Sequence, residues 1–457
     1  MPMPHVANFQ KVLLQHAEHP DSTSLDFYLG HGGYEGARRA LREHEPDQVI
    51  DLVKESNLRG RGGAGFPCGL KWSFVPKTTR KPRYLVINAD ESEPGTFKDR
   101  VLLEKDPHQI IEGAIIAAHA IQAHVAYCYV RGEFTEGYRV MENAIADAYS
   151  RGILGKSVLE TKFRLDITLH RGAGAYICGE ETGLLSSIEG MRGLPKIKPP
   201  FPAVEGLFRC PTVINNVETL ANLPHILLRG PRWFKSIGPE KSPGPKLFCL
   251  SGHIERPGTY ELPMGFNLKD LIHDVGGGVW KGRRLKAVIP GGSSARVLTD
   301  AEIDVPMDFE SLVQKGTMLG SGGVIVMDES TDMVDALYNI LRFYHHESCG
   351  QCTPCREGTG WLTKIVGRIR AGRGRMEDLD LLLDICDRMV GKTICVLADA
   401  AAFPCESIVT KFRGEFEERI RSGPGLARKA PPPGGPLVQP GALSAHNQDK
   451  LQRIQDG

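Results

Sequence analysis

The sequence lacks an uninterrupted apolar run long enough to cross a bilayer. Its most apolar stretch, Ile110 to Val130, is broken by Glu112, His119, Gln122 and His124, and reads as a buried helix followed by a strand. No direct membrane span is expected. An excess of charge is also missing: 56 Lys and Arg against 55 Asp and Glu leave +1, which argues against a nucleic-acid partner. The start, MPMPHVANFQKVLLQHAEHP, has neither a basic segment before an apolar core nor Arg and Ser enrichment, so no secretory or transit leader is read there. The expected location is the cytoplasm, or an organelle after removal of a presequence. Finally, there is no disulfide framework. The 11 cysteines are odd in number and scattered singly except for one cluster, as befits reduced thiols.

What is present is a chain too long for one core. At 457 residues the length suggests about three domains, and the apolar and charged fractions are those of a globular protein. Residues 1–240 alternate apolar runs (YLVIN at 84–88, AYCYV at 126–130, LDITL at 165–169) with helical stretches such as HQIIEGAIIAAHAIQ and with glycine loops, the pattern of an α/β domain. The Pro-, Gly- and Ser-rich segment 231–245 reads as a boundary. A small β-rich module with one helix follows over 246–330: KLFCLSG, TYELP, the helix NLKDLIHDV ending at Gly276, KAVIP and GVIVM. From 331 to 422 apolar residues recur at three- and four-residue spacing in three segments, with a fourth helix expected over Phe412–Ile420, so a four-helix bundle is the economical reading. Residues 423–457 are rich in Pro and Gly and read as a disordered tail.

The cysteine cluster carries the clearest chemistry. SCGQCTPC sets Cys349, Cys352 and Cys355 with two residues between each pair, so that three thiolates can take three corners of a cubane iron–sulfur cluster, with a fourth from farther along the chain. Structural zinc usually takes its cysteines as CxxC pairs, so even spacing favours iron–sulfur. Cys386, Cys395 and Cys405 are the candidates for the fourth ligand. Cys386 falls on the apolar side of a helical pattern and reads as a core thiol; Cys395 follows the expected end of that helix; Cys405 follows Pro404, a weak ferredoxin echo.

Glycine loops form the second signal. RGRGGAGFPCGLKW (59–72) holds five glycines with Arg59, Arg61 and Lys71, suited to close approach of a phosphate, although neither a Walker loop nor a clean GxGxxG context is present. The bland reading is a flexible turn. HRGAGAYICGEETGLLSSIEG (170–190) follows a strand and opens a helix near Gly179, and a helix N-terminus draws anions. Glu180 and Glu181 in it suit either the helix dipole or ribose hydroxyls. NADESEPGTFKDR (88–100) alone reads as a solvated acidic loop. Lys198, Asn215 and Asn216 alone read as surface and turn residues, and Phe66, Phe74 and Phe201 alone as core.

Together these segments are specific. RGRGGAGFPxGLKW, NADESEPGTFKDR, GAGAYICGEETxLLxSIEG, NNVETL and ESCGQCTPCREGTGW stand in the order of one family. The sequence resembles the NADH-binding flavoprotein subunit of respiratory complex I from about residue 25 to 420. That resemblance implies an α/β domain for FMN and NADH, a β-grasp-like module of the soluble-ligand-binding type, and a helical bundle with one [4Fe-4S] cluster. It implies cluster ligation by Cys349, Cys352, Cys355 and Cys395. It implies FMN contacts from Gly60, Arg61, Gly62, Lys71, Asn88, Asp90, Gly179, Asn215 and Asn216. NADH would be stacked by Phe66, Phe74 and Phe201 and positioned by Glu93, Glu180, Glu181 and Lys198. No acid–base residue is required, because hydride passes directly from NADH to FMN. The implied partners are a thioredoxin-like [2Fe-2S] subunit and a large iron–sulfur subunit, and the implied place is the cytoplasmic face of the inner membrane as a peripheral part of a complex. The nearest rival is the diaphorase subunit of an NAD-reducing hydrogenase or NAD-dependent formate dehydrogenase; a rival of another class is a scaffold with structural zinc. Cys68 stands where the family commonly has Thr and is a candidate reactive thiol near the flavin loop. Gln351 replaces a usual basic residue between two cluster ligands.

Overall fold

The computed structural model describes residues 9–425; most of the expected tail lies outside the described residues. A short helix, α1 (Cys68–Ser73), precedes four strands: β1 (Tyr84–Ala89), β2 (Val125–Val130), β3 (Asp166–Arg171) and β4 (Thr212–Asn216). They form one parallel sheet in the order β3-β2-β1-β4. Parallel pairing needs crossovers, and the helices supply them. α2 (Pro107–Ile121) starts on the Asp106 cap with Pro107 in its first turn, and every residue in it but His119 is buried. α3 (Thr135–Ser150) links β2 to β3. α4 (Glu181–Ile188) follows β3, and the five-residue α5 (Val217–Ala221) follows β4. The chain steps outward from β1 through β2 to β3 and then returns to the other side of β1. Strand order therefore reverses between β1 and β4, and the crevice outside their carboxyl ends is where such sheets bind ligands.

The second module is a five-stranded mixed sheet of β5 (Pro245–Gly252), β6 (Gly258–Pro263), β7 (Leu285–Ile289), β8 (Leu298–Thr299) and β9 (Gly323–Asp328), in the order β6-β5-β9-β7-β8. Only β5 and β9 run parallel. Phe248, Leu250, Leu262, Val288, Val324 and Val326 fill its core. Two elements escape the sequence pattern. β8 has two residues, too few for alternation to register. The helix Phe309–Gln314 is a turn and a half held by its Asp308 cap. The expected helix at NLKDLIHDV is capped by Asn267 but loosens into a π-turn over Leu271–Val275.

The last module differs from the sequence reading in its helix count. The described chain has five helices here: α6 (Met333–Glu347), α7 (Thr353–Arg370), α8 (Glu377–Met389), α9 (Leu397–Lys411) and α10 (Arg413–Ser422). The unforeseen one is α9. It is Ala-rich and buried on most sides, from Leu397 and Ala398 through Ala400–Ala402 to Ile408 and Val409, so it shows no amphipathic stripe. Pro404 in its interior further disguises it as a break.

Candidate functional site at the strand-order reversal

The glycine loop 59–72 is not a loose turn. Gly60 N donates to Phe66 O at 2.9 Å, Cys68 N donates to Leu58 O at 2.8 Å, and Arg59 Nε donates to Gly65 O at 2.6 Å. Gly65 has φ +64°, and a Cβ there would strike the Phe309 ring, so no other residue fits. A Cβ on Gly62 would lie 3.1 Å from Asn216 Cβ. The loop is thereby laid across the end of β4.

Around that crevice the expected flavin residues converge, although several side chains are already committed. Asn88 pairs with Asn216 across the strands and donates through Nδ2 to Gly179 O at 3.0 Å, tying the first strand to the second glycine loop. Asn215 accepts the Trp72 indole N–H at 2.9 Å. Asn216 caps α5 through Oδ1 and donates to Asp99 at 2.6 Å. The Arg61 guanidinium goes to the carbonyls of Pro243 and Pro245 at 2.8 and 3.2 Å and the Arg61 backbone N–H to Thr219 Oγ1 at 2.8 Å; what the residue leaves for a ligand is its carbonyl. Asp90 differs. It accepts from Ser92 at 3.4 Å through Oδ2, but its Oδ1 is buried with no partner among the described residues. Burial pushes this carboxyl up to about 7, against the pull of Arg131. A Cβ on Gly179 would sit 3.4 Å from Asp90 O. An unsatisfied buried acceptor beside glycine backbone is a cradle for a polar ring edge, and this donor and acceptor set fits FMN.

Cys68 is not the reactive thiol its position suggested. It is 1% exposed, burial pushes its pKa up to about 12, and Asn215 donates to its sulfur at 3.5 Å.

Next to the crevice stands an ionised lattice. Lys71 Nζ donates to Glu181 at 2.8 Å and to Ile214 O at 3.0 Å. Lys198 Nζ bridges Glu180 at 3.0 Å and Glu181 at 2.7 Å. Glu180 also caps α4 by accepting from the Thr182 and Gly183 N–H groups. Burial works against the Glu181 charge, but Lys71 and Lys198 outweigh it and hold the carboxyl at about 2. The three phenylalanines are not core residues: Phe66, Phe74 and Phe201 are 46%, 50% and 58% exposed, and the Phe66 and Phe74 ring centroids lie 6.1 Å apart. Large rings left bare beside charge suit a stacking ligand. Glu93 accepts from the Tyr176 hydroxyl at 2.7 Å and from Ser294 N at 2.8 Å, which docks the acidic loop onto the second module.

That loop also corrects the sequence reading of a solvated turn. Asp90, Glu91, Lys98 and Asp99 are all buried. Glu91 accepts three successive N–H groups, from Lys98, Asp99 and Arg100.

The cysteine loops meet at the ends of α6, α7 and α8. Ile394 N donates to Cys352 Sγ at 3.4 Å, which brings the Cys395 segment against the SCGQCTPC loop. Cys386 and Cys405 instead lie buried in the bundle core. The thiol donor set fits a cubane cluster by its chemistry. Among the described residues no three His, Cys, Asp or Glu side chains close on a point that would hold a single metal ion. The flavin crevice and the cysteines adjoin: Tyr176 N donates to Glu347 at 2.9 Å, two residues before Cys349, and Arg192 reaches Cys349 O at 3.5 Å. Tyr176, Glu347 and Ser348 lie inside the motifs named above, but nothing in one sequence marks which motif side chains face another module.

Comparison with known proteins agrees with this geometry. Residues 53–225 match the Nuo51 FMN-binding domain, 246–327 an SLBB domain, and 335–419 the NADH-ubiquinone oxidoreductase-F iron-sulfur binding region. The class so defined is a flavin-dependent NADH dehydrogenase with a 4Fe-4S cluster. The chain is 55% identical over 412 residues to the second NADH-quinone oxidoreductase F-subunit of Rhizobium meliloti, covering 90% of this chain and 98% of the relative. It is 52% identical over 419 residues to the NADH-quinone oxidoreductase F-subunit of Mycobacterium tuberculosis, covering 90% and 94%. It belongs to the F-subunit family of NADH-quinone oxidoreductase. Among solved structures it resembles a chain of the NAD+-reducing [NiFe]-hydrogenase in the air-oxidized state, with a TM-score of 0.77 and 35% identity over 89% of this chain. It spans 66% of that chain's length. The H2-reduced form gives a TM-score of 0.78 and 34% identity, covering 95% of this chain and 70% of that one.

Proposed function

We infer that the chain oxidises NADH on FMN and hands single electrons to a [4Fe-4S] cluster, as the electron-input subunit of an NADH:quinone oxidoreductase. The observation that carries the reading is the junction of Tyr176 and Glu347, which joins the second glycine loop to the helix ending at the cysteine loop. FMN, when bound, accepts a hydride and gives up its electrons one at a time. The chain's own residues orient the reactants. Gly60, Gly62 and Gly179, the backbone carbonyl at Arg61, and Lys71, Asn88 and Asp90 form the flavin cradle, with Asn215 and Asn216 fixing its floor from the end of β4. Phe66, Phe74 and Phe201 stack the nucleotide, and Glu93, Glu180, Glu181 and Lys198 hold its polar groups. Cys349, Cys352, Cys355 and Cys395 ligate the cluster, while Cys386 and Cys405 stay in the core.

We divide the chain into an FMN- and NADH-binding domain over 1–240, a β-grasp module over 246–330 and a cluster-binding bundle over 331–422. Val396, beside the fourth ligand of this reading, is 73% exposed, which favours that side for electron exit. In this reading the partners are a thioredoxin-like [2Fe-2S] subunit and a large iron–sulfur subunit, on the cytoplasmic face of the inner membrane. No helix among the described residues is long and apolar enough to cross a membrane. A second reading, the diaphorase part of a hydrogenase, draws on the structural likeness. It is weakened by the lower identity, 35% against 55%.

The test is the visible spectrum of the chain purified without oxygen. Flavin bands over a broad iron–sulfur absorption, bleached by NADH, are expected. A colourless protein containing zinc would overturn the reading.

A further inference from the structure

Two of the four cysteines assigned to the cluster have a hydrogen-bond donor, and the donors differ in kind. Cys352 receives the backbone N–H of Ile394 at 3.4 Å. Cys355 lies 3.3 Å from the hydroxyl of Ser348, and this is the side-chain donor. Either atom of the Ser348–Cys355 contact could donate if the thiol kept its proton. A cysteine that ligates iron is a thiolate and has none, so the serine must be the donor. The serine's surroundings agree: Gly350 N donates to the same Oγ at 3.4 Å, filling one lone pair and leaving the O–H free to point at sulfur. The position is also fixed. Ser348 ends α6, its N–H donates to Tyr344 O, and its neighbour Glu347 is held by the Tyr176 N–H at 2.9 Å. The hydroxyl is thus aimed by the same junction that joins the flavin loop to the cysteine loop.

We propose that Ser348 is a positioning residue that sets the reduction potential of the cluster through a hydrogen bond from its hydroxyl to the thiolate of Cys355. The proposal rests on the assignment of Cys355 as a cluster ligand. The reasoning is electrostatic. Adding an electron makes the cluster and its sulfurs more negative, a donor aimed at sulfur stabilises that state more than the oxidised one, and the potential rises. The backbone donor does the same for Cys352 but cannot be removed by substituting a side chain. Ser348 is therefore the handle by which this chain sets how readily the cluster takes electrons from the reduced flavin.

The test uses the flavin-loaded, cluster-loaded protein in three forms: parent, Ser348→Ala and Ser348→Thr. Cluster reduction is followed by electron paramagnetic resonance at controlled ambient potential, and flavin reduction by absorbance in the same samples. In Ser348→Ala the cluster potential is expected to fall, so that at an ambient potential near the parent midpoint its reduced-to-oxidised ratio drops by about threefold to tenfold, the scale of one net hydrogen bond. The flavin potential is expected to stay in place, and Ser348→Thr to restore the parent ratio. An intact cluster titrating as in the parent in Ser348→Ala would overturn the proposal. So would loss of iron in Ser348→Ala, which would make the serine a loop-building residue only, and so would equal shifts of flavin and cluster. If the parent itself shows no [4Fe-4S] signal, it is the ligation that fails rather than the role of Ser348.

Discussion

Two lysine–carboxylate lattices flank the crevice, and they are built for different ends. In the outer one, Lys71, Lys198, Glu180 and Glu181 keep between 18% and 28% of their side-chain surface. In the inner one, Lys98, Asp99, Glu218 and Lys246 keep 0–4%. Glu218 alone gathers Lys98 Nζ at 2.8 Å, Lys246 Nζ at 2.9 Å and Leu247 N at 2.8 Å. Since Lys246 and Leu247 lie in β5 and Glu218 in α5, the inner lattice welds the flavin domain to the second module. The outer lattice joins glycine loops beside three bare aromatic rings and keeps contact with water. A buried ion lattice is costly to break and ill suited to exchange partners, whereas a half-exposed one can trade an internal partner for a ligand.

The widest separation between the two should appear in stability. Glu218→Ala leaves two buried ammonium groups without their shared carboxylate, and we expect a loss of about 3–5 kcal/mol, read in urea or thermal unfolding of the flavin-loaded protein. A melting temperature unchanged to within a degree would show that the inner lattice is no weld. Glu181→Ala should do the reverse. Lys198 keeps Glu180 and Lys71 keeps the Ile214 carbonyl, so unfolding should move little. The apparent KM for NADH should rise about tenfold, the equivalent of about 1.4 kcal/mol, with the cluster spectrum unaltered. An unchanged KM would remove Glu181 from the nucleotide site.

A smaller effect separates aromatic from ionic contributions. Phe74→Ala, or Phe66→Ala, truncates a half-exposed ring and should leave stability within about 0.5 kcal/mol of the parent. Loss of a stacking face is worth about 1 kcal/mol, so the KM for NADH should rise roughly fivefold. If instead the protein unfolds more easily while KM holds, these rings are core after all.

The outer lattice was legible in the sequence and the inner one was not, for a physical reason. Glu180 and Glu181 sit in one glycine-bearing motif and Lys71 in another, and the family resemblance adds Lys198, which alone reads as a surface residue. Lys98 and Glu218 are 120 positions apart, and Lys246 stands in a strand where a charge is read as facing solvent. Only the sheet order, with β4 returning beside β1 and β5 laid behind α5, makes them neighbours. The same limit hid α9. Its helical character comes from burial on nearly all sides, while the periodic signal that exposes a helix in sequence requires one wet face. The fourth cluster ligand fell in between. Spacing left three candidates and the family resemblance chose Cys395; Cys386 and Cys405 are buried in the core, the setting of packing thiols.

The finest comparison is between two carboxyls of the same crevice, one held low and one held high. Glu181, with two lysines, stays ionised down to about pH 2, so it should contribute no inflection to the pH dependence of NADH binding between pH 5 and 8. Asp90 is pushed by burial up to about 7. Its folded-state pKa exceeds its unfolded value of 3.8, so the folded protein holds the extra proton between those limits. Stability contributed by this group is then full below the unfolded pKa and is lost as pH rises toward 7. Asp90→Asn removes that penalty. Its melting temperature relative to the parent, both stripped of FMN, should be about 2 °C higher at pH 8 than the same difference at pH 5. Equal differences at the two pH values would mean that Asp90 is not a buried carboxyl awaiting a donor, and the case for its place in the flavin cradle would go with it.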